Sequence, residues 1–145
     1  MRKRKIGVII QCRIGSTRFP DKILKKLSIT DRILSLLIKR VKLAKIIDEI
    51  IIATTHDKRD SSIIDITKLY WVSYYVGSDN NDLKRYYEAS KVFNLDIIVR
   101  IISDCPFFDP ILLDEIIAFY NSHDYDSIRN IDGKNAFPIG LDMEI

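Results

Sequence analysis

The chain has 145 residues, 47% of them hydrophobic, and sets 23 Lys and Arg against 20 Asp and Glu for a formal net charge of +3. That length suits one domain with a real core, since folding at this size buries roughly two thirds of the surface an unfolded chain exposes. No apolar stretch approaches the ~18 residues of a membrane span, and Ile6 to Ile10 is too short for a signal peptide, so a cytoplasmic protein without a membrane partner is expected.

The basicity is local. Arg2, Lys3, Arg4 and Lys5 carry four of the positive charges, and without them the balance is 19 minus 20, or −1. No stacking aromatics are interleaved with that run, so a solvated leader is expected rather than an arm that binds nucleic acid. Cys12 and Cys105 fit neither a disulfide framework nor a paired Cys-x-x-Cys zinc site, and both are expected as reduced thiols.

Ile6-Gly7-Val8-Ile9-Ile10 is short, β-branched and uncharged, which predicts a buried parallel strand. A loop leaving such a strand emerges in the crevice where open α/β sheets bind ligands. Here that loop is Gln11 to Lys22, Q-C-R-I-G-S-T-R-F-P-D-K. Gly15 permits positive φ or close approach of a ligand, and Ser16 and Thr17 offer hydroxyls and successive amides that can form an anion nest. Arg13, Arg18 and Lys22 supply charge, Arg suiting bidentate phosphate contacts and Lys a mobile point charge. The loop is either a polyphosphate cradle or an ordinary basic surface loop, and composition alone does not separate the two.

Ile33 to Lys45 has helical spacing at Ile33, Leu34, Leu37, Val41 and Ala44, with Thr30 or Asp31 as cap. Glu49 to Thr54 reads as a second strand, Asp60 or Ser61 opens a helix through Leu69, and Trp71 to Val76 reads as a third strand. Leu83, Tyr86, Tyr87, Ser90 and Phe93 mark one face of the next helix, and Ile97 to Ile102 is a fourth strand. Asp109 caps a helix with Pro110 in its first turn and Leu113, Ile116, Ile117 and Tyr120 on its inner face. Short strands near Asp126 and at Leu141 to Ile145 close the chain. The alternation predicts an α/β, Rossmann-like fold with a mostly parallel sheet and helices on both faces.

Asp104 follows the fourth strand and should emerge on the same sheet edge as the basic loop. Magnesium prefers a few carboxylates together with phosphates and water, so Asp104 suits it, although the residue could equally cap the turn before Pro106. In the last strand Asp142 and Glu144 share a face roughly 7 Å apart, where they either help a metal or acceptor site or form the outer face of an edge strand. Arg100 interrupts an apolar strand and needs a partner, either Asp104 or a bound phosphate. Gly77-Ser78 followed by Asp82 and Arg85 is a turn feeding a helix. His56 and His123 lie in loops and are expected to be solvated.

R-I-G-S-T-R-F-P-D-K-I-L resembles the R-x-G-S-T-R-L-P-x-K-x-L signature of cytidylyltransferases of the spore-coat polysaccharide biosynthesis type, which are related to the acylneuraminate and ketodeoxyoctonate cytidylyltransferases. The likeness continues in order through Ile47 to Ile50, Gly77-Ser78, Arg85 to Tyr87, Val99-Arg100, Asp104 to Pro106, Asp109-Pro110 and Gly140 to Glu144. It implies a GT-A-like nucleotidyltransferase fold, with CTP and a sugar or sugar-acid acceptor giving a CMP-sugar and pyrophosphate, and Mg2+ as cofactor. By resemblance, Arg13, Lys22 and Asp104 are catalytic, and Arg13, Gly15, Ser16, Thr17, Arg18, Lys22, Ser78 and Arg100 meet the nucleotide. Asp82, Arg85, Asp142 and Glu144 meet the acceptor, and Asp104 and Asp142 the metal. The family usually has a glycine where Ser28-Ile29-Thr30 stands, and a polar residue at Ile139. Neighbouring strands in this fold would bring Cys12 and Cys105 close without a bond.

Members of that family continue well past 145 residues, so residues 1–145 are expected to form one nucleotidyltransferase domain lacking the C-terminal part, with a homodimer interface expected there if one exists. The alternative is a nucleotide-binding module without turnover. A glycosyltransferase would want an Asp-x-Asp motif, which Asp124-Tyr125-Asp126 matches by letters, but a turn is expected there.

Overall fold

Strand β1, Ile6–Gln11, lies in the middle of the sheet in the computed structural model, which describes residues 2–15, 21–130 and 140–145. After it come α1 (Ile33–Val41), β2 (Glu49–Thr55), α2 (Ser61–Leu69), β3 (Ser73–Gly77), α3 (Asp82–Val92), β4 (Ile97–Ile102), α4 (Pro110–Asn121) and β5 (Met143–Glu144). Among the described residues the strand order is β3-β2-β1-β4-β5, with the first four parallel and β5 antiparallel to β4. Ile9 sits beside Ile51 on one side and Arg100 on the other.

The period-2 alternation of each strand sorts its side chains into two cores. Ile6, Val8 and Ile10 pack with Ile52, Val99 and Ile101 against Leu34, Leu37, Ile38 and Val41 of α1, Ile63 of α2 and Leu113 and Ile117 of α4. On the other face Ile9, Ile51 and Ala53 pack against Tyr86 and Ala89 of α3. Helices therefore cover both faces, as expected, with α3, among the described residues, by itself on the second. Asp109 accepts from the Ile111 and Leu112 amides and Pro110 opens α4, also as expected.

Several boundaries differ for local reasons. Helix α1 stops at Val41, because the chain turns at residues 42–44 and the Asp114 carboxylate then accepts from the amides of Lys45 and Ile46 at 2.9–3.0 Å. Its first residue is preceded by Arg32 rather than capped by Thr30 or Asp31, and Ser35 Oγ accepts from the Arg32 amide at 2.8 Å. Trp71 has φ 54, a left-handed value incompatible with a strand, so β3 begins at Ser73. On α3 the buried residues are Arg85, Tyr86, Ala89 and Ser90, whereas Leu83 and Tyr87, expected inside, are exposed. The final strand shortens to Met143–Glu144, and the expected strand near Asp126 reduces to an isolated bridge between Arg129 and Glu144.

The basic leader is exposed but engaged. Arg2 pairs with Asp96 at 2.6 Å, Lys3 with Asp48 at 2.7 Å and Lys5 with Glu49 at 2.7 Å, while Arg4 donates to Asn121.

Candidate functional site

Between β1 and β4 the sheet reverses its direction of growth, and the crevice at the carboxyl ends of two such strands is where open α/β sheets hold ligands. The Ser103 amide donates to the Gln11 carbonyl at 3.3 Å, which keeps the two exits side by side. Lys22 opens a 3₁₀ turn, Lys22–Leu24, and its Nζ lies 3.0 Å from Asp104 Oδ2, with both side chains partly exposed. Asp21, just before, has φ 55, a left-handed conformation that Asp tolerates. The predicted meeting of the first loop with Asp104 is therefore present, through Lys22.

Cys105 sits against this pair. Burial pushes its thiol up to about 11, the charges of Asp104 and Asp142 add to that, and Lys22 opposes them. Cys12 and Cys105 are both buried free thiols, and burial also raises Cys12 strongly, with Ser103 opposing.

The other wall of the β1 exit is held by a carboxylate that the sequence reading did not single out beyond a helix start. Asp60 is 2% exposed and accepts from the Ile14 amide at 2.9 Å, Thr54 Oγ1 at 3.0 Å and Thr55 Oγ1 at 2.5 Å. It ties the loop after β1 to the end of β2. Beside it opens a hollow of about 290 Å³ lined by Arg13, Gly15, Thr55, Asp57, Arg59 and Asp79 among others. Arg59 donates to Asp57 and holds its carboxyl down to about 2. The run T-T-H-D-K-R-D across the end of β2 was the available signal for these residues. Arg13 accordingly lines a hollow on the β2 side, while Lys22 works on the β4 side next to Asp104. Gly15 has no left-handed φ, so of its two expected roles positive φ is not used; among the described residues a Cβ there would meet Arg59 Nη2 at 3.6 Å. Ser16, Thr17, Arg18 and Ile139 lie outside the described residues.

Two further predicted residues have other surroundings than expected. Arg100 is not a buried charge: its side chain is 45% exposed, 3.1 Å from Glu144 and over the Tyr86 ring of α3. Its carboxylate partner is Glu144, directly opposite in the strand register, and not Asp104. Arg100, Ile102, Arg129, Asp142, Met143 and Glu144 line a cleft of about 220 Å³. Arg85, expected at the acceptor, is wholly buried, with Nη1 donating to the Ser78 carbonyl and Nη2 lying 2.8 Å from Asp82. Ser78 is therefore held from beneath by its carbonyl. His56 and His123 are exposed, and Asp124 to Asp126 is irregular chain outside the described strands and helices.

For a divalent cation, Asp104 at the β4 exit and Asp142 in the cleft beside β5 are carboxylates, hard oxygen ligands of the kind magnesium takes. No group of three or more His, Cys, Asp or Glu able to hold a metal occurs among the described residues. Two carboxylates fit magnesium, which keeps waters and substrate phosphates in its shell and seldom uses an all-protein cage.

A parallel sheet with this switch point, a basic loop on its first strand and an acid facing it from the fourth is the α/β arrangement of the nucleotidyltransferases. The sequence matches the cytidylyltransferase family over residues 7–136, and the chain belongs to that family. It is 33% identical over 147 residues to the spore coat polysaccharide biosynthesis protein SpsF of Bacillus subtilis, covering 94% of this chain and 57% of that one. The structure of a cytidylyltransferase from Leptospira borgpetersenii superposes with a TM-score of 0.91 at 35% identity, over 98% of this chain and 60% of the other. A CMP-2-keto-3-deoxy-manno-octonic acid synthetase complexed with CTP gives a TM-score of 0.70 at 18% identity, over 81% and 48%, a likeness of fold alone. The chain spans about half the length of the curated relatives it matches. Among the described residues no helix is long and apolar enough to cross a membrane.

Proposed function

We propose that this chain provides the nucleotide site of a cytidylyltransferase that transfers CMP from CTP to a sugar or sugar-acid acceptor for polysaccharide synthesis, with release of pyrophosphate. The observation that supports this most directly is the Lys22–Asp104 pair, cation and acid 3.0 Å apart across the mouths of β1 and β4. An acceptor oxygen attacks the α-phosphorus, forming one P–O bond as the bond to the pyrophosphate oxygen breaks. No covalent nucleophile on the protein is needed, because in-line positioning and charge neutralisation do most of the work in phosphoryl transfer. In this reading Lys22, Arg13 and Arg18 neutralise the phosphates, Ser16 and Thr17 donate to them, and Asp142 and Glu144 face the acceptor from the β5 side. Asp104 with Asp142 would hold Mg2+, which when bound supplies charge neutralisation at the phosphates.

The partial length shared with relatives favours a second reading, a nucleotide-binding module without turnover. Thermal stabilisation by each of the four NTPs with magnesium tests binding, since a ligand at 100 times its dissociation constant contributes about 2.7 kcal/mol. CTP is expected to stabilise most. Pyrophosphate release with candidate sugars then separates enzyme from module. Lys22→Ala and Asp104→Asn should abolish release and blunt the CTP shift. The fold itself should survive, because a partly exposed pair contributes only about 0–1 kcal/mol. Equal stabilisation by CTP in wild type and Lys22→Ala would overturn the assignment.

A further inference from the structure

We propose that Arg85 is a positioning residue which, through Asp82, fixes Arg13 and the loop after β3 in the geometry that takes a nucleotide; the nucleotide itself rests on the function proposed above. Arg85 has no exposed surface, so as placed it touches no ligand. A buried guanidinium is costly unless its donors are satisfied, and well-packed apolar side chains often serve stability equally well. Its placement therefore calls for another account.

Arg85 stands one turn into α3, whose N-cap is Asn81, accepting from the Lys84 amide at 2.9 Å. One arm of its fork holds the Ser78 carbonyl and the other holds Asp82 Oδ1 at 2.8 Å. Its Nε is buried without a partner, so satisfying every donor is not what places it. Gly77 closes over its stem: a Cβ there would be 3.2 Å from Arg85 Cγ and 2.6 Å from Tyr75 Cε1. The fork thus fixes both ends of the segment 78–82, from which Asp79 and Asn80 line the Arg13 hollow. Asp79 also accepts from the His56 amide at 2.8 Å, which joins this segment to the β2 exit.

The link continues to β1. Against the upward effect of burial, the Gln11 amide, Arg85 and Arg13 together hold the Asp82 carboxyl below the usual carboxylate range. Gln11 is the last residue of β1 and Arg13 the second residue beyond it. The charge of Arg85 also reaches the Cys12 thiol between them. The buried Arg85 thus holds Asp82 and the Ser78 carbonyl at the two ends of a segment whose middle residues, Asp79 and Asn80, share the hollow with Arg13. Asp82 is 44% exposed, and the rigid fork of Arg85, together with the Gln11 side chain, limits its rotation.

The test is a double-mutant cycle on the full chain with Arg85→Met, Asp82→Asn and both together, read by CTP–magnesium affinity and by the Nε–H NMR signal of Arg13 in the ligand-free protein. Each single variant is expected to weaken CTP about tenfold, as loss of a supporting partner typically does, and the double variant to be no weaker than either single one. The Arg13 signal is expected to lose order in all three. Arg85→Lys, which keeps charge without the fork, should fall with Arg85→Met. If Arg85→Met fails to fold, Asp82→Asn and Arg85→Lys read the same link without emptying the core site. Additive losses, or a folded Arg85 variant with wild-type affinity and an unchanged Arg13 signal, would overturn the inference. Failure of wild type to bind CTP would instead remove the nucleotide reading, and the Arg13 signal would still decide the link.

Discussion

Single carboxylates do unequal work at this site according to their burial. Asp104 is half in solvent and pairs with one lysine, so its removal is expected to change ligand binding and little else. Asp60 has its acceptor capacity filled by the Ile14 and Thr55 amides and the hydroxyls of Thr54 and Thr55. Asp60→Ala would leave those buried donors unpaired, and a loss of about 3 kcal/mol is expected in urea unfolding, with weaker nucleotide binding because Ile14 leads into the cradle. Arg100 shows why a lone charge in an apolar run misleads at this scale. Its sequence neighbours say that it is buried, whereas its exposure depends on which strand and which helix lie beside it in the assembled sheet.

Among the elements, β1 and its neighbours are constrained from both faces. Gly7 lies on the α3 side, and a Cβ there would fall 2.3 Å from Leu95 Cδ1, at the chain's entry into β4. Gly7→Ala is expected to cost about 1–3 kcal/mol by overpacking, and Gly7→Ala with Leu95→Ala should be less than additive, a result that thermal melts of the four proteins would check. Strand β4, Ile97–Ile102, and the capped start of α4 were legible residue for residue, because β-branched alternation and an Asp-Pro pair are local signals. The buried face of α3 was not. Leu83 and Tyr87 have core-like side chains at helical spacing, yet one helix can bury only one stripe, and here that stripe carries Arg85 and Tyr86.

Across the whole molecule, the leader closes the end of the sheet opposite the site. Asp48 accepts from the Ile6 amide and pairs with Lys3, and Asp96 accepts from the Lys5 amide and pairs with Arg2. Hydrogen bonds from those amides, aided by the cations, hold both carboxyls below their usual range. A carboxyl lowered on folding adds stability above its unfolded value, and that stability is lost as pH falls through the lower folded value. The stability difference between wild type and Asp48→Asn is therefore expected to be full at neutral pH and to shrink once pH falls below about 4, as acid unfolding curves would show. High salt should weaken the exposed Arg2 and Lys3 contacts and leave the amide contacts in place.

The succession of strands and helices along the chain, the two-faced cover of the sheet and the family itself were all readable from sequence, because each rests on local periodicity, caps or a contiguous motif. Only the tertiary structure decided the partners: Lys22 with Asp104, Arg100 with Glu144, Asp60 with the loop it anchors, and Arg85 beneath Ser78 and Asp82. Strand order sets which side chains meet across a sheet, and the way helices pack on its faces sets which charges stay in water. Both are properties of the assembled layers, which no window of neighbouring residues contains.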